Sequence, residues 1–202
     1  MPRSSPKKNR WQDHYARKAQ KEHYPARSVY KLKEIQRKYR LIQKGDRVLD
    51  LGCAPGAWLL YAAEQTGTRG RVLGIDLKAV TISAPSHARA ITGDIFNFNT
   101  DEALSETVNY KFNVVLSDMA PATTGNKHID AVRSQNLADE ALNLAQRFLK
   151  PGGNFACKIF QSGDFQNFTG AVRRCFKTCK IFKPQSSRKA SREIYVIGIN
   201  KL

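Results

Sequence analysis

The stretch that most limits what this chain can fold into is VLDLGCAPGAWLLYAA, Val48 to Ala63. A β-rich apolar run enters a tight turn bounded by Gly52 and Gly56, and the turn leads into an apolar segment able to open a helix. Strand, turn and helix in that order form the first half of a βαβ unit, and the chain beyond repeats the alternation. Strands are predicted at 47–51, 71–76, 90–92, 112–118, 154–160 (after the turn KPGG), about 178–182 and 193–200, with helices at 57–65, 101–108, 129–149 and 164–176. Seven strands with interleaved helices make an open α/β sheet covered on both faces. Upstream, Val29, Leu32, Ile35, Tyr39 and Ile42 recur at helical spacing behind a candidate N-cap, Ser28, and predict a helix ending near Gly45. Residues 1–10 read as a disordered basic tail. Residues 11–202 read as one domain whose first part, about 11–45, is a helical extension.

Ligands of such sheets sit at the carboxyl ends of the strands, near the point where strand order reverses, so the Gly52–Gly56 turn is the first candidate site. It is not a P-loop: Ala57 and Trp58 stand where G-x-x-x-x-G-K-[ST] needs a lysine and a hydroxyl. Nor is it G-x-G-x-x-G, because Ala54 occupies the second glycine position, where the backbone must approach a pyrophosphate closely. A phosphate ligand is disfavoured, and a dinucleotide is weakly supported.

Charge narrows the partners. The chain has 34 Lys and Arg against 17 Asp and Glu, and residues 1–47 alone carry 15 against 4. A second cluster, Arg173, Arg174, Lys177, Lys180, Lys183, Arg188, Lys189 and Arg192, contains no acid between its ends. Segregated positive charge suits a polyanion, whose counterions are released on binding. An anionic membrane surface would accept the same charge, but Trp11, Tyr15, Tyr24, Tyr30 and Tyr39 are spread through the N-terminal segment and form no greasy helical face. No run of about 18 uncharged apolar residues is available to span a bilayer. The start MPRSSPKKNR lacks the apolar core of a secretory signal, and Pro2 and Pro6 spoil the amphipathic helix of a mitochondrial presequence. A cytoplasmic location is expected. Cys53, Cys157, Cys175 and Cys179 form no C-x-x-C pair and the four histidines no H-x-x-x-H, so neither a metal nor a disulfide framework is expected. Strong self-repulsion favours a monomer.

Three aspartates point to the ligand. Asp50 opens DLGCAPG, a match to [DE]-x-G-x-x-x-G, which resembles the S-adenosylmethionine site of seven-stranded methyltransferases. A donor with an amino acid and a sulfonium but no phosphate needs close backbone approach and carboxylates in place of lysine. Asp76 ends RVLGID and is placed to take ribose hydroxyls; Asp94 in TGD can contact the adenine amine; Asp118 ends NVVLSD. A single loop aspartate is usually only a solvated residue, but three at successive strand ends of one sheet favour a site. The acceptor follows by comparison. Base-amine methylation goes with [DN]-P-P-[FY] after the fourth strand, whereas this chain has SDMAP, Ser117 to Pro121, without an aromatic residue. Methylation of a pyrimidine carbon needs a cysteine nucleophile in that loop, and Cys53 and Cys157 lie elsewhere and read as small packed residues. A ribose hydroxyl needs a base to take its proton, a task open to a lysine that desolvation and a cationic neighbour keep partly neutral. Lys158 in NFACKIF is such a lysine, on an apolar strand where an unpaired charge is costly. Glu193, the one acid after Asp164, could compensate it or could merely relieve the repulsion among eight cations.

RSVYKLKEI, DLGCAPGAW, SDMAP, FACKIF and SREIYVIG together resemble the FtsJ/RrmJ family of 2′-O-ribose methyltransferases of large-subunit ribosomal RNA, in order and over nearly the whole chain. The resemblance implies a Rossmann-like, mostly parallel seven-stranded fold with an antiparallel last strand, and a Lys-Asp-Lys-Glu tetrad at Lys31, Asp118, Lys158 and Glu193. Lys158 would be the proton acceptor, Asp118 its electrostatic support, and Lys31 with Glu193 the ribose-positioning pair. Donor contacts would fall on the turn (Gly52, Ala54, Pro55, Gly56) and on Trp58, Asp76, Asp94 and Asp118. S-adenosylmethionine would be the methyl donor, with no metal needed because a sulfonium is already a good leaving group. The partner would be ribosomal RNA in the assembled large subunit, and the target a uridine. Transfer RNA or a messenger cap as substrate, a catalytically silent ribosome-assembly factor, and a small-molecule methyltransferase are the alternatives.

Overall fold

A computed structural model describes residues 10–97, 111–162, 165–188 and 190–202. In chain order the elements are α1 (Arg10–Lys21), α2 (Val29–Tyr39), β1 (Arg47–Leu51), α3 (Ala57–Thr66), β2 (Arg71–Asp76), β3 (Ala88–Thr92), a 3-10 turn (Ile95–Asn97), β4 (Phe112–Ser117), α4 (Lys127–Phe148), β5 (Leu149–Phe160), α5 (Phe165–Cys175), β6 (Phe176–Phe182) and β7 (Glu193–Lys201). The expected tail lies outside the described residues except for Arg10, which opens α1; the helix expected at 101–108 also lies outside them.

The strands form one sheet in the order β3-β2-β1-β4-β5-β7-β6. Pairing is parallel from β3 through β5, and β7 runs antiparallel to both β5 and β6. The α/β class and the antiparallel last strand are thus as expected. Strand order reverses between β1 and β4, so the crevice at their carboxyl ends is where a ligand of this fold belongs.

Alternation along each strand feeds two cores. Leu49 and Leu51 of β1 pack with Ala138, Leu142 and Phe148 of α4 and Phe168 and Val172 of α5. Val48 shares the other face with Leu116, Tyr195, Leu32 and Ile35 of α2 and Leu59 of α3. Ala19 and Tyr24 are buried in this second core, and the Tyr24 hydroxyl donates to Glu64 Oε2 at 2.6 Å, tying the N-terminal segment to α3.

Several boundaries differ from expectation by a residue or two, as where β3 starts at Ala88 and β6 at Phe176, and two differ for a visible reason. The helix containing Lys31 stops at Tyr39, not near Gly45, because Arg40 takes a left-handed conformation (φ 50°) and donates its N–H to the Gln36 carbonyl. The Gln36 side chain then clasps both backbone polar groups of Ile42, so Leu41 and Ile42 reach the core from a turn rather than a helix. Ser28 stands at the N-cap position but makes no side-chain cap bond. The fifth strand begins before the KPGG turn: Leu149 pairs with Phe112, the register shifts across the turn, where Gly152 has φ 77°, and Asn154 pairs with Val114.

Candidate active site

The turn after β1 is shaped by its two glycines. Gly52 (φ 76°) lies against the segment after β4, so close that a Cβ there would sit 2.5 Å from Met119 Cγ. Gly56 (φ 109°) lies under Ile82, where a Cβ would come within 2.3 Å of Cδ1. Both positions combine a backbone conformation that side chains rarely adopt with no room for one. Gly56 also opens α3, whose first-turn amides lack intrahelical acceptors and suit a carboxylate.

The carboxylates around the turn have distinct surroundings. Asp76 staples the turn to β2, its Oδ2 accepting the Ala54 N–H and its Oδ1 the Lys78 N–H, both at 2.9 Å. Asp94 Oδ1 accepts the Phe96 N–H at 3.0 Å at the start of the 3-10 turn. Asp50 is fully buried on β1, and neither carboxylate oxygen has a partner among the described residues. Burial first, then the negative charges of Asp118 and Asp76, push its carboxyl well above the usual range. The Trp58 ring is buried, stacked on Tyr195 with centroids 5.7 Å apart, and its Nε1 donates to the Ser28 carbonyl at 2.9 Å. The indole is therefore committed to the core, and only the backbone at Trp58 is left for a donor contact.

On the other side of the crevice, residues from α2, β5 and β7 meet at one oxygen of Asp118, the residue just after β4. Asp118 Oδ1 accepts from Lys158 Nζ at 2.9 Å and from the Tyr195 hydroxyl at 2.5 Å, with Lys31 Nζ at 3.8 Å. Lys158 Nζ also donates to the Asp118 backbone carbonyl. Lys31 Nζ pairs with Glu193 Oε1 at 2.9 Å. The four residues that the family resemblance implied thus form a continuous chain of ion pairs, Lys158–Asp118–Lys31–Glu193. Burial acts to raise the Asp118 carboxyl, but the Lys158 and Lys31 ammonium groups and the bonds from Tyr195 and Lys158 outweigh it and hold the carboxyl below its ordinary range. Burial and the same carboxylates push the Tyr195 phenol well up, so it remains a donor. A cavity of about 250 Å³, lined by Arg27, Ser28, Lys31, Arg188, Ser191 and Glu193, adjoins this cluster.

Tyr195 is the side chain of this cluster that sequence reasoning missed. It lies two residues beyond Glu193 on β7 and directly opposite Lys158 of β5, so strand periodicity was the available signal. The cysteines are packing residues: Cys53 and Cys157 are buried, and burial pushes the Cys157 thiol up to about 12.

Known proteins resemble this chain throughout its length. The profile of the FtsJ-like methyltransferase family matches residues 24–201. A protein of Desulforapulum autotrophicum named ribosomal RNA large subunit methyltransferase E is 56% identical over 199 residues, covering 98% of this chain and 97% of the relative. One of the same name from Desulfosudis oleivorans is 53% identical over 201 residues, 100% and 96% of the two chains. Among solved structures, a chain described as a ribosomal RNA methyltransferase of Plasmodium falciparum superposes with a TM-score of 0.77 at 27% identity, covering 89% of this chain and 99% of that one. Aeropyrum pernix fibrillarin, solved with bound S-adenosyl-L-methionine, shares the fold at a TM-score of 0.53 and 16% identity, over 79% and 68% of the two chains.

Proposed function

The chain belongs to the FtsJ-like methyltransferase family, and from that premise we propose that it methylates the 2′-hydroxyl of a uridine in large-subunit ribosomal RNA, with S-adenosylmethionine as donor. The observation that carries the reaction type is the ion-pair chain ending on Lys158, at the strand ends facing the glycine turn. The names of the relatives support the substrate class.

The donor side fits that ligand. Gly52 and Gly56 keep side chains out of the turn, the amides at the start of α3 suit a carboxylate, and the unpartnered Asp50 carboxyl beneath the turn suits an ammonium group. Asp76 and Asp94 each keep lone pairs beyond those spent on backbone amides, enough to accept from ribose hydroxyls and an adenine amine. When bound, S-adenosylmethionine supplies a methyl carbon whose bond to sulfur breaks, with the electron pair left on sulfur, as the ribose oxygen bonds to it.

Lys158 acts in its neutral form, having first released its own proton to solvent: Nζ takes the hydroxyl proton, and the ammonium so re-formed lies beside Asp118 Oδ1 at 2.9 Å, a counter-charge already in place. Asp118 is fixed in turn by Tyr195 and Lys31, so the accepting nitrogen is aimed before substrate arrives. Lys31 and Glu193, at the rim of the 250 Å³ cavity, position the ribose, and Arg27 and Arg188 on the cavity wall offer charge to the flanking phosphates. The protein acts as a monomer in the cytoplasm on the assembled large subunit.

The test is to incubate the protein with labelled donor and large subunits from cells lacking it, then digest the RNA and analyse nucleosides by mass spectrometry. One 2′-O-methyluridine is expected. Methyl on a base would overturn the reaction type. RNA binding without any incorporation would return the silent assembly factor.

A further inference from the structure

The stretch from Arg27 to Gly45 is strongly basic and contains one acid, Glu34. On a face meant for a polyanion an acid works against binding, so its surroundings matter. Glu34 Oε2 accepts the Gln185 N–H at 2.7 Å and Oε1 accepts the Ser186 N–H at 2.9 Å. Arg27 Nη2 donates to the carbonyl of the same Ser186 at 2.6 Å. Arg27 lies just before the N-cap of α2, and Lys31 and Glu34 are three residues apart on it, on one side of the helix. Lys31 therefore reaches the tetrad from between two side chains that grip one point of the β6–β7 connection, and Ser186 is buried there.

Among the described residues of the connection, 183–188 and 190–192, Lys183 Nζ donates to the Ser191 carbonyl and Arg192 Nη2 to the Lys127 carbonyl, the Gln161 N–H donates to the Arg192 carbonyl at the far end, and two backbone turns close within the loop. Glu193 is fixed as part of β7 opposite Phe160, and its N–H also donates to Ser191 Oγ at 3.2 Å. What the grip on Ser186 sets is the segment outward of the tetrad: Arg188 and Ser191, which form the far wall of the cavity beside Lys31.

We propose that Glu34 is a positioning residue that, through the Gln185 and Ser186 amides, orders the β6–β7 loop so that its Arg188 side of the cavity is preformed for the RNA strand. This rests on the proposed RNA substrate. The carboxylate is held by two backbone amides, and the loop they belong to is spared an ordering cost when RNA arrives.

The experiment uses the full chain as wild type, Glu34→Ala and Glu34→Gln, with three readings: hydrogen exchange of individual amides, donor affinity by calorimetry, and steady-state methylation of large subunits. In Glu34→Ala, exchange at Gln185 and at Ser186 should each rise roughly tenfold or more, as loss of one charge-assisted bond per amide implies, with β7 amides unchanged. KM for the RNA substrate should rise by a similar roughly tenfold factor, with kcat within about twofold and donor affinity unchanged. Glu34→Gln keeps one carbonyl acceptor and should fall between, and it carries the test if the alanine variant folds poorly. Unchanged protection at Gln185 and Ser186 would overturn the proposal, and so would lost protection with an unchanged KM. If wild type methylates no RNA, the functional reading fails, while the exchange data still judge the grip on the loop.

Discussion

Asp50 and Asp118 lie near the carboxyl ends of adjacent strands, β1 and β4, and their surroundings are opposite. Asp50 is fully buried with no hydrogen-bond partner among the described residues, and burial and neighbouring carboxylates push its carboxyl up. Asp118 has two lysines and a tyrosine on one oxygen, and they hold its carboxyl down against the effect of burial. The proposed donor half of the crevice is thus built largely from backbone around a buried carboxyl that the described residues leave unpartnered. The acceptor half is a side-chain network that the protein completes for itself. A half that waits for its ligand should fail in binding when damaged, and a half organised in advance should fail in turnover.

The largest expected effect is on the acceptor side. Lys158→Ala removes the proposed base and one partner of Asp118, and methyl transfer should fall by about a thousandfold or more, within the range for a positioned general base. Donor affinity should stay within about twofold of wild type. Single-turnover transfer and calorimetry on the same preparation check both, and a parallel loss of donor binding would erase the distinction between the halves. Gly56→Ala is the converse. It forces a Cβ at φ 109° against Ile82, and strain of this kind is worth roughly 1–3 kcal/mol, so donor affinity should fall about ten- to a hundredfold. Turnover at saturating donor should be nearly retained, and a loss confined to kcat would contradict the assignment of the turn.

Tyr195→Phe sharpens the comparison within the acceptor half. It leaves the ring stacked on Trp58 and deletes only the bond to Asp118 Oδ1. Bonds to charged groups are worth about 1.5–3 kcal/mol, so kcat should drop roughly tenfold with both substrates still bound. The depressed Asp118 carboxyl contributes stability that is fully present above its unfolded value, near 4, and is lost as pH falls through the folded value. Without the tyrosine the folded value moves up. Acid melts should therefore show this contribution shrinking and disappearing at a higher pH than in wild type.

The two halves also differed in how legible they were. The donor turn is local: sixteen consecutive residues contain the strand, both glycines and the helix start, and β1 and β2 fall where alternation predicts them. The acceptor cluster joins residues 31, 118, 158, 193 and 195, which only the sheet order brings together. Lys158 stood out as a charge on an apolar strand. Lys31 did not, because a lysine among lysines carries no compositional signal, and only the family resemblance indicated it. Tyr195 looked like any aromatic of a buried strand until the β5–β7 register set it opposite Lys158. The end of α2 was hidden for a different reason: an arginine, not a glycine, takes the left-handed position, and a glutamine side chain completes the turn.

Asp50→Asn should have the smallest effect on turnover and is the most direct test of the waiting half. A carboxyl whose folded pKa lies above its unfolded value binds its proton more tightly in the native state. Its contribution to stability therefore declines as pH rises through the unfolded value, near 4, and continues to decline until the folded value is passed. In donor-free wild type this is a downward slope in stability over that window, added to whatever other groups contribute. Asparagine has the same shape and no ionisation, so the slope should flatten by this group's share, and urea melts at successive pH values would read it. Saturating donor should also flatten the slope in wild type if its ammonium group meets the carboxylate, because a partnered Asp50 no longer resists ionisation. A wild-type slope that donor leaves unchanged, while asparagine removes it, would show that the buried carboxyl is not completed by the ligand.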